Sequence, residues 1–271
     1  MTGLVVLVAA SFPPHGLGDE PGITFQRSGT GPVVYTAADL DRDFGIAAVE
    51  VKDHVVGETV VYRGVAMKDL LPAVYGPGWH GLDELLITCL DGYQPSLPVE
   101  ELVRHDAYLV FERADGRPFS FEKKGAEVPL GPFYLVWKTA GHSVTGVWSY
   151  QMVGMEPISF AERFPRLAPP AGADAMVHRG FGQFRKHCVT CHKINGQGGD
   201  LSVELNYPVS VTEYWQPDYL ERWLKDPASV RHGAKMSAFA PGAPDRDERL
   251  AQILAYLRAM AQNKIPPDAG K

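Results

Sequence analysis

The chain has 271 residues, of which 45% are hydrophobic and 21% are charged, and its formal net charge is −6. This composition excludes wholesale disorder and a bundle of membrane helices, and the length fits two compact domains. The negative charge excludes a basic surface for nucleic acid and favours partners with a basic docking surface.

The first predicted element is the apolar run LVVLVAA at residues 4–10. The run is too short to span a bilayer, so we expect no transmembrane anchor from it. Its length, and the small residues that follow it, are those of a secretory signal, but the usual basic start is missing. We therefore interpret residues 1–20 as either a signal remnant or an N-terminal strand or tail.

Short runs rich in β-branched and aromatic residues follow, and they predict strands. These runs are IAAVEV, TVVY, LLITCL, AYLVF, FYLVW and VWSYQMV. Two short helices are predicted between them. One covers residues 67–74 and should be broken at Pro72, and the other covers residues 98–105, with Pro98 at its first position. Residues 21–165 are thus predicted to form a β-dominated α+β domain.

The segment AERFPRLAPPAGADAM breaks both the strand and the helix periodicity. It predicts an exposed linker at residues 166–175. The remaining residues, 176–265, are predicted to form a small all-α domain of three helices without strands. The first helix has four residues at helical spacing, Val177, Phe181, Phe184 and Cys188. The second begins at Pro217 and ends before Pro227, and the third covers residues 245–261.

The first of these helices ends in Cys188-Val189-Thr190-Cys191-His192, the C-x-x-C-H pattern of covalent haem attachment. Two intervening residues let both sulfurs reach one edge of the macrocycle, and the adjacent histidine is carried under the ring to the iron. A redox pair would need a neighbouring βαβ pattern, and a zinc site would need a second pair of ligands. The sequence contains neither pattern. We therefore predict one covalent haem c, bound through Cys188 and Cys191, with His192 as an axial ligand.

The second axial ligand is expected from a loop downstream of the motif. Two methionines follow the motif, and Met260 falls within the last predicted helix, whereas Met236 lies in a loop. We predict Met236 as the ligand, although a methionine at such a position also serves to fill a core gap. His232 is the rival, and it would give bis-histidine iron of lower reduction potential.

Residues 176–262 resemble the class I cytochrome c family. The family's parts occur in order: CVTCH, the glycine-rich stretch GQGGDL, the segment YLERWLKDP, the loop GAKMSAF and a terminal helix. The resemblance implies that the first and last helices cross, with four residues in contact: Gly182, Phe184, Tyr256 and Leu257. The proline that usually follows the glycines is missing, so the hydrogen bonding of the His192 ring is not implied.

Three segments of the first domain resemble the sulfite-oxidase-type molybdopterin-binding fold, over residues 35–155. They are YRGVAMKDLL, ITCLDGY and PLGPFYLVWK. The family holds molybdenum through a cysteine thiolate before the first segment, and here the corresponding stretch, VEVKDHVVGETVVY, contains no cysteine. We therefore do not expect molybdopterin, and we expect Cys89 to be buried and inert. Three isolated histidines, His54, His105 and His142, are candidate copper or zinc ligands, although such residues are usually structural.

Covalent haem attachment takes place outside the cytoplasm, so a periplasmic or otherwise extracytoplasmic location is expected. The predicted function is single-electron transfer by a monohaem c-type cytochrome between a redox protein donor and an acceptor. The first domain would be a docking module, and no catalytic residue is assigned. The alternative is a haem–molybdenum oxidoreductase that oxidises a small anion in the first domain. A third hypothesis, a haem sensor, requires an open coordination position on the iron.

Overall fold

The computed structural model describes residues 20–123, 125–138 and 147–267. The chain consists of a sheet-rich N-terminal part and a helical C-terminal part. Two predictions, the apolar run at residues 4–10 and a metal-binding role for His142, lie outside the described residues. Within the described ranges, no helix has the length and apolar character needed to cross a bilayer.

The N-terminal part contains strands β1–β11 and helices α1–α4. The strands are β1 (Gly22–Phe25), β2 (Val33–Thr36), β3 (Ala47–Asp53), β4 (Glu58–Ala66), β5 (Glu84–Cys89), β6 (Ser96–Pro98), β7 (Ala107–Arg113), β8 (Ser120–Lys123), β9 (Ala126–Pro129), β10 (Phe133–Trp137) and β11 (Ser149–Ile158). The helices are α1 (Ala37–Phe44), α2 (Met67–Tyr75), α3 (Val99–Arg104) and α4 (Phe160–Arg163).

Nine of these strands form one curled, half-barrel sheet. Its main path has the order β2-β1-β11-β10-β7-β4-β3, while β5 pairs with β11 and β6 pairs with β5. The six predicted strands are all present, as β3, β4, β5, β7, β10 and β11. The short strands β1, β2 and β6 were not predicted, because three or four residues show too little alternation to be recognised.

The sheet separates two apolar cores, and β10 contributes to both. Phe133, Leu135 and Trp137 pack in the core that also holds α1, α2 and α3. Tyr134 and Val136 pack in the core on the other face, which includes residues of β3, β4 and β8. All five side chains are buried, because alternate residues of a strand point to opposite faces of a sheet that is covered on both sides.

Both proline predictions in this part need correction. Helix α2 continues through Pro72 to Tyr75, and its end is closed by a bond from the Gly76 amide to the Pro72 carbonyl over 2.9 Å. The burial of Leu70, Leu71 and Val74 keeps this short helix in place despite the missing amide. Pro98 ends β6, so that α3 begins one residue later, at Val99.

The segment predicted as an exposed linker is partly packed instead. Leu167 is fully buried in the core of the helical part. The hydroxyl of Tyr256 donates to the Leu167 carbonyl over 2.7 Å. The prolines of this segment do end regular structure, but an apolar side chain between them is buried against the last helix. The prediction of an exposed segment is therefore wrong at Leu167.

The C-terminal part contains helices α5–α9 and two very short strands. The helices are α5 (Ala175–His187), α6 (Val211–Tyr214), α7 (Pro217–Lys225), α8 (Pro227–Val230) and α9 (Arg246–Ala261), and the strands are β12 (Lys193–Ile194) and β13 (Gln197–Gly198). The three predicted helices are confirmed as α5, α7 and α9. The expectation of three helices and no strands was wrong, because single-turn helices and a two-residue ladder have no detectable period.

Helices α5 and α9 cross at Gly180. A Cβ atom on Gly180 would lie 2.0 Å from the carbonyl oxygen of Gln252. A Cβ atom on Gly182, the residue predicted at the crossing, would meet nothing within 4 Å. Phe184 does pack on Tyr256, with ring centroids 5.2 Å apart. The pairing of the two helices was thus expected correctly, but the glycine lies half a turn earlier.

Candidate haem site

A cavity of about 760 Å³ lies between the C-x-x-C-H motif and the loop that follows α8. Its lining brings Cys188 and His192 together with Met236. Many of the other lining residues are apolar, including Phe184, Leu205, Val211, Leu220, Ile253 and Leu257. An apolar cavity of this volume with a few polar groups is typical of a cofactor site. The residues present therefore fit a haem.

The motif continues from α5 as a tight turn. The amide of Cys188 donates to the carbonyl of Phe184 over 2.8 Å, and the amide of His192 donates to the carbonyl of Cys188 over 3.0 Å. This turn places Cys188 and His192 at one wall of the cavity. Among the described residues that line the cavity, three of the four predicted site residues are found. The fourth, Cys191, lies beside His192 but is not part of that lining.

Both thiols of the motif are disfavoured as thiolates. Burial, followed by the neighbouring Cys191 thiol, raises the pKa of Cys188 to about 12. Burial, followed by the carboxylate of Asp91, raises the pKa of Cys191. Both cysteines are therefore neutral thiols at neutral pH when no metal or haem is bound.

The imidazole of His192 is oriented by a backbone carbonyl. Its Nδ1 atom lies 2.8 Å from the carbonyl oxygen of Val203. A carbonyl accepts hydrogen bonds, so Nδ1 carries the proton and Nε2 keeps its lone pair when the ring is neutral. Burial lowers the pKa of His192, while the bond to Val203 and the charge of Glu204 oppose this effect. The ring is thus held in the tautomer that a metal ligand requires.

The segment that contains Val203 is organised by the carboxylate of Glu204. One oxygen, Oε1, accepts from the amides of Asn195, Asn206 and Tyr207 over 2.9–3.1 Å. The other, Oε2, accepts from the amide of Gly196 over 2.9 Å. Four backbone donors on one carboxylate tie the β12–β13 turn to the chain after Val203.

Gly199 allows this turn to lie directly on the attachment motif. A Cβ atom at Gly199 would be 1.9 Å from the carbonyl oxygen of Thr190. The amide of Gly199 also donates to the carbonyl of Val189 over 2.8 Å. The glycine-rich stretch therefore supports the motif through close backbone contact, which any side chain at this position would prevent.

Met236 lies in a loop, as predicted, and packs against the core of the helical part. The indole N–H of Trp223, in α7, donates to the sulfur of Met236 over 3.1 Å. The loop is further held at Phe239, whose amide donates to the Leu224 carbonyl over 2.8 Å and whose carbonyl accepts from Nε of Arg246 over 2.7 Å. Trp223 therefore holds the sulfur at the cavity wall, and the bonds of Phe239 anchor the loop that carries it.

The rival ligand His232 also lines the cavity, but its side chain is exposed. Met236, by contrast, is half-buried and makes the contact with Trp223. A thioether in an apolar, anchored position suits an axial ligand better than an imidazole in solvent. The geometry favours Met236 over His232.

Residues 175–257 match the family model of the cbb3-type cytochrome c oxidase subunit III. This region contains every residue that lines the cavity. Residues 175–257 form a cytochrome c domain. Such a domain binds haem c and transfers electrons. A search of curated proteins gives no match to the chain.

The cytochrome c domain packs directly on strand β5 of the sheet. Leu86 of β5 is part of the domain's apolar core. Glu84, which is 5% exposed, forms an ion pair with Arg185 of α5. The guanidinium of Arg185 also lies over the ring of Phe160, 3.8 Å from its centroid. The two parts therefore share a packed interface in addition to the connecting chain.

The loop after β5 reaches the attachment motif of the cytochrome c domain. The amide of Gln94 donates to the carbonyl of Thr190 over 3.4 Å. Tyr93, beside it, has its pKa raised by burial and, less strongly, by the nearby Cys191. The Cys191 side of the motif therefore faces the N-terminal part, whereas Cys188 faces the cavity.

The candidate ligands of the N-terminal part that the structure describes do not come together in one site. Cys89 is 4% exposed, and burial raises its pKa, so the expectation of a buried thiol is confirmed. The ring of His54 packs on Trp148, and that of His105 on Trp137. Among the described residues, no group of three or more His, Cys, Asp or Glu side chains is arranged to hold a metal ion.

Three residues that shape the cavity were missed from the sequence. Val203 acts through its carbonyl, which no sequence pattern reveals. For Trp223, the available signal was its position in YLERWLKDP. Glu204 had no signal, because its four amide partners are brought together by the turn itself.

Proposed function

We propose that this chain is a monohaem c-type cytochrome that passes single electrons between a redox protein donor and an acceptor. The proposal rests on one observation: His192 and Met236 line the same apolar cavity, beside the attachment residue Cys188. Bound haem supplies a ferric–ferrous couple. The protein's part is to hold this group rigidly in an apolar environment, which keeps the reorganisation during electron transfer small.

In this proposal, Cys188 and Cys191 would hold the haem through two thioether links, and His192 and Met236 would bind its iron. The Nδ1–H bond to Val203 orients the imidazole, and the anchored loop presents the sulfur. With both residues bound, the iron would have no open position for a gas, so the proposal disfavours a sensor. A histidine–methionine pair also gives a higher reduction potential than two histidines would.

We further propose a periplasmic or otherwise extracytoplasmic location, because covalent haem attachment takes place there. The N-terminal part is proposed to have a sulfite-oxidase-like fold and to serve as a docking module. Its contacts through Glu84 and Gln94 support this role, since they join the sheet firmly to the haem-bearing domain. The net charge of −6 supports partners with a basic docking surface.

The ligand assignment is tested by comparing Met236→Ala with His232→Ala. Both variants and the wild type would be produced in a host with haem-attachment machinery. Met236→Ala should abolish the sulfur-to-iron charge-transfer band near the red end of the ferric spectrum and should allow the reduced protein to bind carbon monoxide. His232→Ala should leave both properties unchanged. Loss of the band in the His232 variant alone, or no haem stain after denaturation, would overturn the proposal.

The alternative function, a haem–molybdenum oxidoreductase, is tested separately by metal analysis. It would need a cysteine thiolate for the metal, but the stretch VEVKDHVVGETVVY contains no cysteine and Cys89 is buried in β5. We expect iron without stoichiometric molybdenum in the purified protein, and no pterin fluorescence after denaturation. Stoichiometric molybdenum would show instead that the N-terminal part is a catalytic domain and not a docking module.

A further inference from the structure

We infer that the seam between the two parts of the chain is the docking surface for a basic redox protein. The seam consists of the loop at residues 90–95, between β5 and β6, and of residues 200–203 of the cytochrome c domain. This inference rests on the proposed electron transfer by the cytochrome c domain. It goes further because it gives the N-terminal part a direct contact with the partner and names the residues that make it.

Both sides of the seam are bonded to the haem-attachment motif. From the N-terminal part, the amide of Gln94 donates to the carbonyl of Thr190 over 3.4 Å. From the cytochrome c domain, the amide of Ser202 donates to the carbonyl of Cys191 over 2.8 Å. Electron transfer slows steeply with distance, so a partner that docks on the seam would lie next to the attachment point of the haem.

Exposed apolar side chains lie on both sides of the seam. Leu90 is 60% exposed, Leu201 is 46% exposed and Val203 is 62% exposed. A Cβ atom on Gly92, two residues after Leu90, would lie 3.9 Å from the amide nitrogen of Leu201, so the two sides approach to van der Waals distance. Val203 also lines the haem cavity. Exposed apolar side chains that are grouped in one region are typical of an interaction surface.

The seam also carries a negative charge that is not neutralised. Asp91 is exposed, and its Oδ1 atom accepts the amide of Tyr93 over 2.9 Å. Within the described ranges, no cationic side chain forms an ion pair with Asp91. Asp200, on the other side of the seam, is paired with Lys193, and this pair adds no net charge. An apolar surface with a free carboxylate complements a partner that has basic residues around an apolar patch.

The exposed cations of the haem cavity lie elsewhere. Arg231 and Lys235 belong to the loop that carries Met236, and no acidic residue is found among the described residues that line the cavity. An acidic partner would therefore meet the Met236 loop, whereas a basic partner would meet the seam. The seam is favoured because it holds the grouped apolar side chains, and because the net charge of −6 attracts a basic protein at long range.

The test measures the rate at which the ferrous, haem-loaded full-length protein passes one electron to each of three oxidants. They are a ferric, basic mitochondrial-type cytochrome c, tris(phenanthroline)cobalt(III) as a small cation, and ferricyanide as a small anion. At low ionic strength, Asp91→Asn should lower the rate with the two cationic oxidants by roughly threefold and raise the rate with ferricyanide. Asp41→Asn removes the same charge from the exposed surface of α1 and should change each rate less.

Leu90→Gln tests the apolar contact separately. It should lower the rate with the cytochrome by roughly threefold to tenfold, because the partner no longer buries an apolar side chain. The two small oxidants cannot cover that side chain, so their rates should not change. Val103→Gln, on α3, is the matched control, since Val103 is 56% exposed and lies outside the seam. It should leave all three rates unchanged.

Equal effects of Asp91→Asn and Asp41→Asn, or an unchanged rate with the cytochrome in Leu90→Gln, would overturn the inference. A rate with the cytochrome that responds to Lys235→Gln and to neither seam variant would move the docking surface to the Met236 loop. A wild-type dimer that Leu90→Gln dissociates in sedimentation would assign the seam to a second copy of the chain.

Failure of the proposed function looks different, because the wild type would then carry no haem or would pass no electron to any of the three oxidants. Asparagine keeps an acceptor oxygen for the Tyr93 amide, so Asp91→Asn should retain the loop. The wild type itself covers the case of a poorly folded variant. Added salt should slow its reaction with the cobalt complex and accelerate its reaction with ferricyanide, and the opposite signs would contradict a basic partner.

Discussion

The imidazole of His192 and the carbonyl of Val203 are joined over 2.8 Å across eleven positions of the sequence. The bond determines which ring nitrogen is free to bind iron. A backbone acceptor cannot be removed by substituting Val203 itself, so its importance is best examined through the residue that holds its segment in place.

We expect Glu204→Ala to loosen the Val203 segment, because four backbone amides lose their common acceptor. A weaker Nδ1–H bond makes His192 a poorer donor to ferric iron, so the reduction potential should rise. The free energy of unfolding should fall by about 1–3 kcal/mol. Redox titration and urea unfolding measure the two effects.

Glu204→Gln is the matched control for this experiment. The amide keeps one acceptor oxygen, so both effects should be smaller than in Glu204→Ala. An unchanged potential in the alanine variant, together with a large loss of stability, would show that Glu204 has no influence on the His192 ring.

Gly180→Ala should destabilise the cytochrome c domain, because its Cβ would lie 2.0 Å from the Gln252 carbonyl. Helices α5 and α9 would have to separate, at a cost of about 1–3 kcal/mol. Gly182→Ala, on the same helix, meets nothing within 4 Å and should instead stabilise by about 0.5–1 kcal/mol through helix propensity. Thermal unfolding of the two variants distinguishes them, and equal effects would place the crossing elsewhere.

Arg185→Ala should weaken the contact between sheet and cytochrome c domain. It leaves the nearly buried Glu84 carboxylate without its cationic partner and removes the stacking on Phe160. We expect a loss of about 1–3 kcal/mol. Arg104→Ala breaks an ion pair with Glu100 in which both side chains are exposed, so it should change stability little. Limited proteolysis should also release the cytochrome c domain faster in the Arg185 variant.

Asp39, in helix α1, should make a pH-dependent contribution to the stability of the folded protein. Hydrogen bonds from the amide and hydroxyl of Thr36, and then from Arg42, lower the pKa of Asp39 from its ordinary 3.8 to about 2. A lowered pKa stabilises the folded protein above the ordinary pKa, and this stabilisation is lost as the pH falls through about 2. Asp39→Asn should therefore be less stable than wild type near neutral pH, and the difference should shrink between about pH 4 and pH 2.

Urea unfolding at several pH values measures this dependence. Asp41→Asn, on the same helix, serves as the control, since the Asp41 side chain is exposed. A difference between Asp39→Asn and wild type that stays constant down to pH 2 would contradict the assigned role of the Asp39 carboxylate.

Regular elements with a clear period were predictable from the sequence, whereas short ones were not. Helix α5 is an example of the first kind, because its apolar residues recur at a spacing of about 3.6 residues, and strand β10 was recognisable as a short continuous apolar run. Strand β1 is an example of the second, since it is held by pairing with β2 and with the distant β11. The burial of Leu167 was not predictable from local sequence, because it depends on contact with α9, which lies far along the chain.

The sequence by itself was enough to predict the attachment chemistry, since the spacing of Cys188, Cys191 and His192 along the chain is a covalent property. It also indicated Met236, through its position in a loop after the motif. Only the tertiary structure decided that Val203 orients the imidazole, that Trp223 holds the sulfur and that Gly180 lies at the helix crossing. These contacts depend on the relative orientation and packing of elements that are far apart in the sequence. A local pattern of residue types does not encode that orientation.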